Sequence, residues 1–229
     1  MIACVAFDFD GTLVDSNQVK AQSFYEIVKD SDPSGFTVTE VLRRCSNEDR
    51  YGITRELARE FTAKGLPQPQ PDVEILAAQW AEAYTSACER AIARCPEVPG
   101  VSKILTWLLS KEIPLFINSR TPIEALNRLV ALRHLTHYFS GIYGAPANKL
   151  ENLRHIQELA QAKPDEILFV GDSEDDREAA AELGCHFAGV ILDDNSRFRQ
   201  MPPLHVKNLE ELRAIVEKFQ KKRNVLAPN

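Results

Sequence analysis

At 229 residues, with 44% hydrophobic and 26% charged residues, the chain has a globular composition and enough length for one large domain or two modest ones. Its formal net charge of -6 excludes a general nucleic-acid or membrane-surface binder, which needs a basic face to meet phosphate; a small anion held by a few local cations stays open. No apolar run reaches the roughly 20 residues that span a bilayer, and the opening MIACVAFDFD turns acidic too soon for a secretory signal, so a cytoplasmic location is expected.

Residues 2–7 (IACVAF) form a short apolar run, the pattern of a strand buried on both faces, and it stops at Asp8-Phe9-Asp10-Gly11. From 17 to 92 the sequence reads as helix throughout, with Ala- and Glu-rich stretches at 53–64 and 72–93 around a Pro-rich segment at 65–71. Apolar residues at 101, 104, 105, 108 and 109 then mark one helix face. The run 113–117 (IPLFI) predicts a second strand, with Pro114 tolerable at its start, ending in Asn118-Ser119. Thr121 and Pro122 are expected to be the N-cap and first residue of a helix over 123–132.

A weak strand at 141–143 and a helix over 150–159 follow. The apolar run 167–170 (ILFV) ends in Gly171-Asp172, and a helix at 179–183 is stopped by Gly184. A weak strand at 187–192 and a helix over 209–219 after Asn208 complete the reading. The basic cluster at 218–223 is read as a helix C-terminus meeting its own dipole. Strands alternating with helices predict an α/β domain whose parallel sheet carries helices on both faces. The helical stretch after the first strand predicts an inserted all-helical domain, giving a core of 1–16 with 93–229 and an insertion of 17–92. The five cysteines are scattered, with no C-x-x-C pair, and are read as free thiols.

In an open parallel sheet, ligands bind at the carboxyl ends of the strands. Asp8, Asp10, Asn118, Ser119 and Asp172, with Lys149 at the start of a helix, should therefore gather in one crevice. Carboxylates packed together repel or raise one another's pKa. A hard divalent cation resolves that conflict, and oxygen-only ligands suit Mg2+. Aspartate as a covalent nucleophile, with metal and lysine offsetting charge on a phosphoryl group, is the chemistry this set can perform.

The segment Asp8-Phe9-Asp10-Gly11-Thr12-Leu13-Val14-Asp15-Ser16 closely resembles the first motif of the haloacid dehalogenase superfamily, D-x-D-G-T-[LV]-x-D-S. Ser119 in Asn118-Ser119-Arg120-Thr121-Pro122 looks like its second motif, Lys149 like its third, and Gly171-Asp172-Ser173-Glu174-Asp175-Asp176 like its fourth. The resemblance implies a Rossmann-like core with a helical cap, and a phosphatase acting on a small phosphorylated metabolite. Asp8 would attack phosphorus, and Asp10 would serve as acid and then base. Ser119 and Lys149 would contact the phosphoryl group. Mg2+ would be held by Asp8, the Asp10 backbone carbonyl and Asp172, with Asp176 positioning Lys149 or a metal-bound water. Asn118 competes with Ser119 for the second-motif role, and Asp175 with Asp176.

Candidate substrate contacts are Asn118, Arg120, and in the insertion Arg50 and Lys20, the last standing where many relatives with this cap carry His. The insertion resembles that of phosphoglycolate phosphatases. A phosphomutase similar to β-phosphoglucomutase shares the chemistry, and a phosphonate hydrolase would recruit Lys20 or Lys29 as a Schiff base. Dehalogenases lack the second aspartate of the first motif. A non-catalytic interaction module on the same fold would be signalled by loss of Asp8, Asp10 or Asp172, and all three are present. A monomer or homodimer is the expected assembly.

Overall fold

The computed structural model describes residues 1–45, 48–67, 71–192 and 197–224. The polar and aromatic mix of Asn47-Glu48-Asp49-Arg50-Tyr51-Gly52 suggests a substrate-contacting stretch; its first residue, Asn47, lies outside the described residues, as do the middle of the Pro-rich segment at 68–70 and the side chains at 222–223 of the basic cluster. The chain divides into two compact units, Met1–Asp15 with Cys95–Asn229, and Ser16–Arg94.

The first unit is built on a six-stranded sheet. Its strands in chain order are β1 (Cys4–Phe7), β2 (Leu115–Pro122), β3 (Gly141–Ala145), β4 (Ile167–Gly171), β5 (His186–Val190) and β6 (His205–Val206). The spatial order is β3-β2-β1-β4-β5-β6, and every named pair is parallel. β1 therefore sits mid-sheet, with Phe7 in register with Ile117 on one side and Val170 on the other. All four residues of β1 are buried, as its unbroken apolar run requires of a strand covered on both faces. Chain order reverses at β1, and the crevice beyond the strand ends at such a reversal is where an open α/β sheet binds ligands.

Among the described residues of this unit, five α-helices accompany the strands: Val101–Ser110, Ile123–Leu132, Lys149–Ala160, Glu174–Leu183 and Leu212–Asn224. Cys4 and Ala6 of β1 pack with Phe116, Ile167 and Phe169 of the neighbouring strands against Leu153 and Ile156 of the third helix and Ala179 and Ala180 of the fourth. Val5 and Phe7, the alternate residues of β1, are equally buried and face the opposite side of the sheet.

Two expectations are corrected here. Pro114 precedes β2 rather than lying in it; it has no N–H to donate, and its carbonyl accepts from Val5 N at 3.1 Å. Thr121 does not cap the helix at Ile123–Leu132. Pro122, with extended backbone, is the N-cap, and it makes no side-chain hydrogen bond.

The described residues of the second unit form four helices, α1 (Asn17–Val28), α2 (Phe36–Arg44), α3 (Arg50–Ala63) and α4 (Val73–Ile92). Asp49 and Asp72 cap α3 and α4 by accepting backbone N–H bonds, the role for which a short acidic side chain suits a helix N-terminus. Its interior is held by aromatic contacts, with Phe24 stacked on Tyr84 at 4.0 Å and Phe61 edge-on to Trp80 at 5.3 Å. No helix among the described residues is long and apolar enough to cross a membrane.

Candidate active site

Asp8 follows the last residue of β1, and its N–H still donates to Val170 O at 2.8 Å, so the nucleophile candidate is carried by the rigid centre of the sheet. The chain then turns tightly. Leu13 N and Val14 N both donate to Phe9 O, and Gly11 N donates to Val14 O at 2.7 Å. Gly11 has φ of 78°, a left-handed backbone that glycine adopts without a Cβ penalty. This turn places Asp10 beside the end of β2, where its Oδ2 accepts from Thr121 Oγ1 at 2.9 Å. Ser119 is also buried, and its Oγ accepts from Thr121 N at 3.1 Å.

The third helix of this unit, at Lys149–Ala160, begins with a capping box between Asn148 and Glu151. Its first residue, Lys149, turns inward. Nζ lies 2.8 Å from Asp8 Oδ1 and 2.6 Å from Asp176 Oδ1, and it donates to Asn118 O at 3.1 Å. Three acceptors meet the three N–H bonds of an ammonium. Only that full pairing makes a buried lysine tolerable.

β4 contributes Gly171 and the residues after it. A Cβ at Gly171 would run into the Asp176 carboxylate, so the glycine lets the next helix press its first turn onto the strand end. Ser173 caps that helix through a capping box with Asp176. Asp176 thus has one oxygen on Lys149 and the other accepting from Ser173 N. Asp175 points the other way, half-exposed, with Arg120 at 3.4 Å.

The carboxylate oxygens of Asp8, Asp172 and Asp176 lie within 4.8 Å of one another, all three buried. Against them stands one ammonium, Lys149, with the half-exposed Arg197 at 3.2 Å from Asp172 Oδ2. Burial pushes the Asp8 carboxyl up to about 7; Lys149 opposes the rise, and Asp176, Asp172 and Asp10 add to it. Burial opposes the charge on Lys149, but Asp176 and Asp8 outweigh it and raise its pKa above the ordinary value. Three close carboxylate oxygens in a negative, buried pocket form a donor set that fits a hard divalent cation. Burial also pushes the thiols of Cys4 and Cys185 up to about 12, which leaves them as thiols, and a thiol is a poor nucleophile at neutral pH.

Of the residues singled out in the sequence, Asp8, Asp10, Ser119, Lys149, Asp172 and Asp176 come together at these strand ends. Asn118 is fully buried and both its side-chain polar atoms bond to the Lys149 helix. Arg120 stays half-exposed on Asp175. In the helical unit, Lys20 lies on α1, and Arg50 donates to Thr85 at 3.0 Å and lies over the Tyr84 ring. Sequence reasoning missed Thr121, Asn152 and Arg197. Asn152 left a trace, a polar residue on the stripe 149, 152, 153, 156 that the helix buries.

A family model of haloacid dehalogenase-like hydrolases matches residues 5–190. Phosphoglycolate phosphatase 1 of Pseudomonas aeruginosa is 26% identical over 216 residues, covering 91% of this chain and 77% of that protein. The crystal structure of a predicted phosphoglycolate phosphatase from Haemophilus somnus superposes with a TM-score of 0.74 at 19% identity, covering 94% of this chain and 98% of the other. L-2-haloacid dehalogenase from Xanthobacter autotrophicus shares the fold at a TM-score of 0.65 and 22% identity, covering 95% and 99%. With the family pattern spanning most of the α/β unit and all of the helical one, the chain belongs to the haloacid dehalogenase-like hydrolases.

Proposed function

We propose that this enzyme is a Mg2+-dependent phosphatase of small phosphate monoesters, working through a phosphoryl group carried on Asp8. The observation that carries the reading is the pairing of two differently held carboxylates, Asp8 against the Lys149 ammonium at 2.8 Å and Asp10 on the Thr121 hydroxyl at 2.9 Å. Two acids two residues apart, in separate environments, can take separate roles.

An Asp8 oxygen attacks phosphorus while the bond from phosphorus to the ester oxygen breaks, and Asp10 gives its proton to the leaving alkoxide. Asp10, now a carboxylate, takes a proton from water; that water's oxygen attacks the same phosphorus, and the bond to Asp8 breaks to release phosphate. Lys149 offsets charge on the nucleophile and the phosphoryl oxygens, and Ser119 offers a hydroxyl to one of those oxygens. Asp8, the Asp10 backbone carbonyl and Asp172 would hold Mg2+, with Asp176 beside them. When bound, the cation supplies charge neutralisation for the phosphoryl oxygens. The name of the Pseudomonas aeruginosa relative, phosphoglycolate phosphatase, supports a phosphorylated small organic acid as the substrate class. Lys20 and Arg50 remain the cationic candidates of the helical unit for a second anionic group on the substrate.

The test is phosphate release from an aryl phosphate and a panel of small phosphate esters, with Mg2+ or EDTA, beside Asp8→Asn. Release that needs Mg2+ and falls by on the order of a thousandfold in the variant is expected. Conversion between sugar-phosphate isomers without net release would replace the phosphatase by a mutase. Inertness toward the whole panel would leave an interaction module.

A further inference from the structure

Lys149 is gripped from two directions, and one grip lies outside the carboxylates. Asn118, the buried residue of β2 just before Ser119, accepts from Lys149 Nζ through its backbone carbonyl at 3.1 Å. Its side chain returns the contact, with Nδ2 donating to the Lys149 backbone carbonyl at 2.9 Å. The Asn118 Oδ1 then accepts from Asn152 Nδ2 at 3.1 Å. Asn118 is wholly buried and Asn152 is 2% exposed, so neither amide is there to meet solvent.

Hydrogen-bond chemistry fixes the direction of this chain. A backbone carbonyl only accepts, so the Asn118 amide must turn its NH2 toward Lys149 O and its oxygen toward Asn152. Asn152 must therefore present its own NH2. The main-chain end of the lysine is tied to β2 by the Asn118 side chain, and the ammonium end by the Asn118 backbone. That bracket sets where Nζ can sit relative to Asp8. Helix formation does not require it, since the helix already has a complete capping box at Asn148 and Glu151.

We propose that Asn118 and Asn152 are positioning residues for Lys149, the pair that holds its ammonium on the nucleophilic carboxylate. The proposal rests on Lys149 acting at the phosphoryl group. Asn152 is the residue to change, because it touches neither Lys149 nor the carboxylates through any of these bonds. Replacing it by leucine keeps most of the volume and removes the donor. Asn118 Oδ1 is then a buried acceptor without its partner, at a cost that favours rotation of the Asn118 amide and loss of the Lys149 O contact.

Two readouts test it, both in saturating Mg2+ and on protein shown by circular dichroism to be folded. The first compares kcat and KM on an aryl phosphate for the wild type, Asn152→Leu, Lys149→Met and the double variant. Asn152→Leu should lower kcat/KM roughly tenfold when Lys149 is present, and by less than about twofold when it is methionine. An equal factor in both backgrounds would mean a general structural defect and overturns the proposal. The second readout needs no turnover. In protein labelled with 15N-lysine, the Lys149 ammonium should exchange its protons slowly in the wild type and several-fold faster in Asn152→Leu, and also in Asn152→Ala if leucine does not fold. Unchanged exchange overturns the proposal even if activity falls. A wild type that hydrolyses nothing, with exchange still dependent on Asn152, would defeat the phosphatase reading and leave the positioning pair standing.

Discussion

Arg44 of the helical unit and Lys149 of the α/β unit each meet two carboxylates. Arg44 lies 2.8 Å from both Glu56 and Glu60, and Lys149 lies 2.8 Å from Asp8 and 2.6 Å from Asp176. The distances are nearly the same and the surroundings are opposite. The Arg44 side chain is 48% exposed, whereas that of Lys149 is 4% exposed and that of Asp176 is 0%. Water screens the first triad, and its charges lose little by separating. The second has given up hydration on all three members, so breaking it strands charge in the interior. A cation between two carboxylates is therefore no mark of function by shape alone; the desolvation is what makes it costly, and a cost of that kind marks a site under chemical demand.

The largest break in this comparison is Lys149→Met. Two buried carboxylates would face each other without the ammonium, and the expected destabilisation is roughly 3–5 kcal/mol in EDTA, with turnover down by about a hundredfold in Mg2+. Urea titration and phosphate release measure the two. Added Mg2+ should recover part of the stability and little of the activity. A variant as stable as the wild type in EDTA would show that the triad is not desolvated as described.

The α/β unit was the more legible of the two in the sequence, for a physical reason. β1 and β4 are covered on both faces, so they appear as unbroken apolar runs, and the first polar residue after each, Asp8 or Asp172, falls at the crevice. β6 is only His205–Val206 and leaves no pattern to read. The helix at Glu174–Leu183 begins five residues before its apolar signal, because its first turn is acidic and supplies Asp176 to the capping box with Ser173. Thr121 looked like a cap because Thr-Pro usually is one; only the fold brings it to Asp10, 111 residues away. Arg197 reaches Asp172 from a segment 25 residues on, a pairing no local rule would find. In the helical unit the helical character could be read but the caps at Asp49 and Asp72 could not, and Arg50, a candidate from its polar and aromatic surroundings in sequence, has Thr85 and Tyr84 as neighbours.

The next effect concerns pH and separates the buried triad from the exposed one by its response to metal. Asp8 titrates near 3.8 as an ordinary aspartate and near 7 when folded. Between those values the folded protein holds the proton more tightly than the unfolded chain. The contribution of Asp8 is fully present below about 3.8 and is lost as pH rises through 7. In EDTA the melting temperature should therefore fall by several degrees between pH 5 and pH 8. With Mg2+ the fall should shrink, because the cation favours the ionised carboxylate that the interior disfavours. Equal slopes with and without metal would mean that Asp8 does not sense the ion.

Thr121→Val sharpens the site at a single bond. It removes the hydroxyl on Asp10 Oδ2 while keeping the shape, and it leaves the Thr121 N–H on Ser119 intact. The expected loss is roughly tenfold in kcat, with KM changed by less than about twofold, since the proposed mechanism has Asp10 move a proton without holding the substrate. A rise in KM at constant kcat would instead make Thr121 a substrate contact.

The smallest effect is expected on the other side of the comparison. Arg44→Ala removes a guanidinium from two carboxylates at 2.8 Å, the same change in charge as Lys149→Met. Solvent reaches Arg44, and Glu56 and Glu60 are both more exposed than any member of the buried triad. The freed carboxylates can rehydrate, and the long arginine side chain regains its rotamers. Melting temperature and turnover should both stay within experimental error at 0.15 M salt, with at most a small shift at low ionic strength, where screening is weaker. A loss as large as that of Lys149→Met would refute the argument that burial, and not contact distance, decides what an ion pair costs to break in this protein.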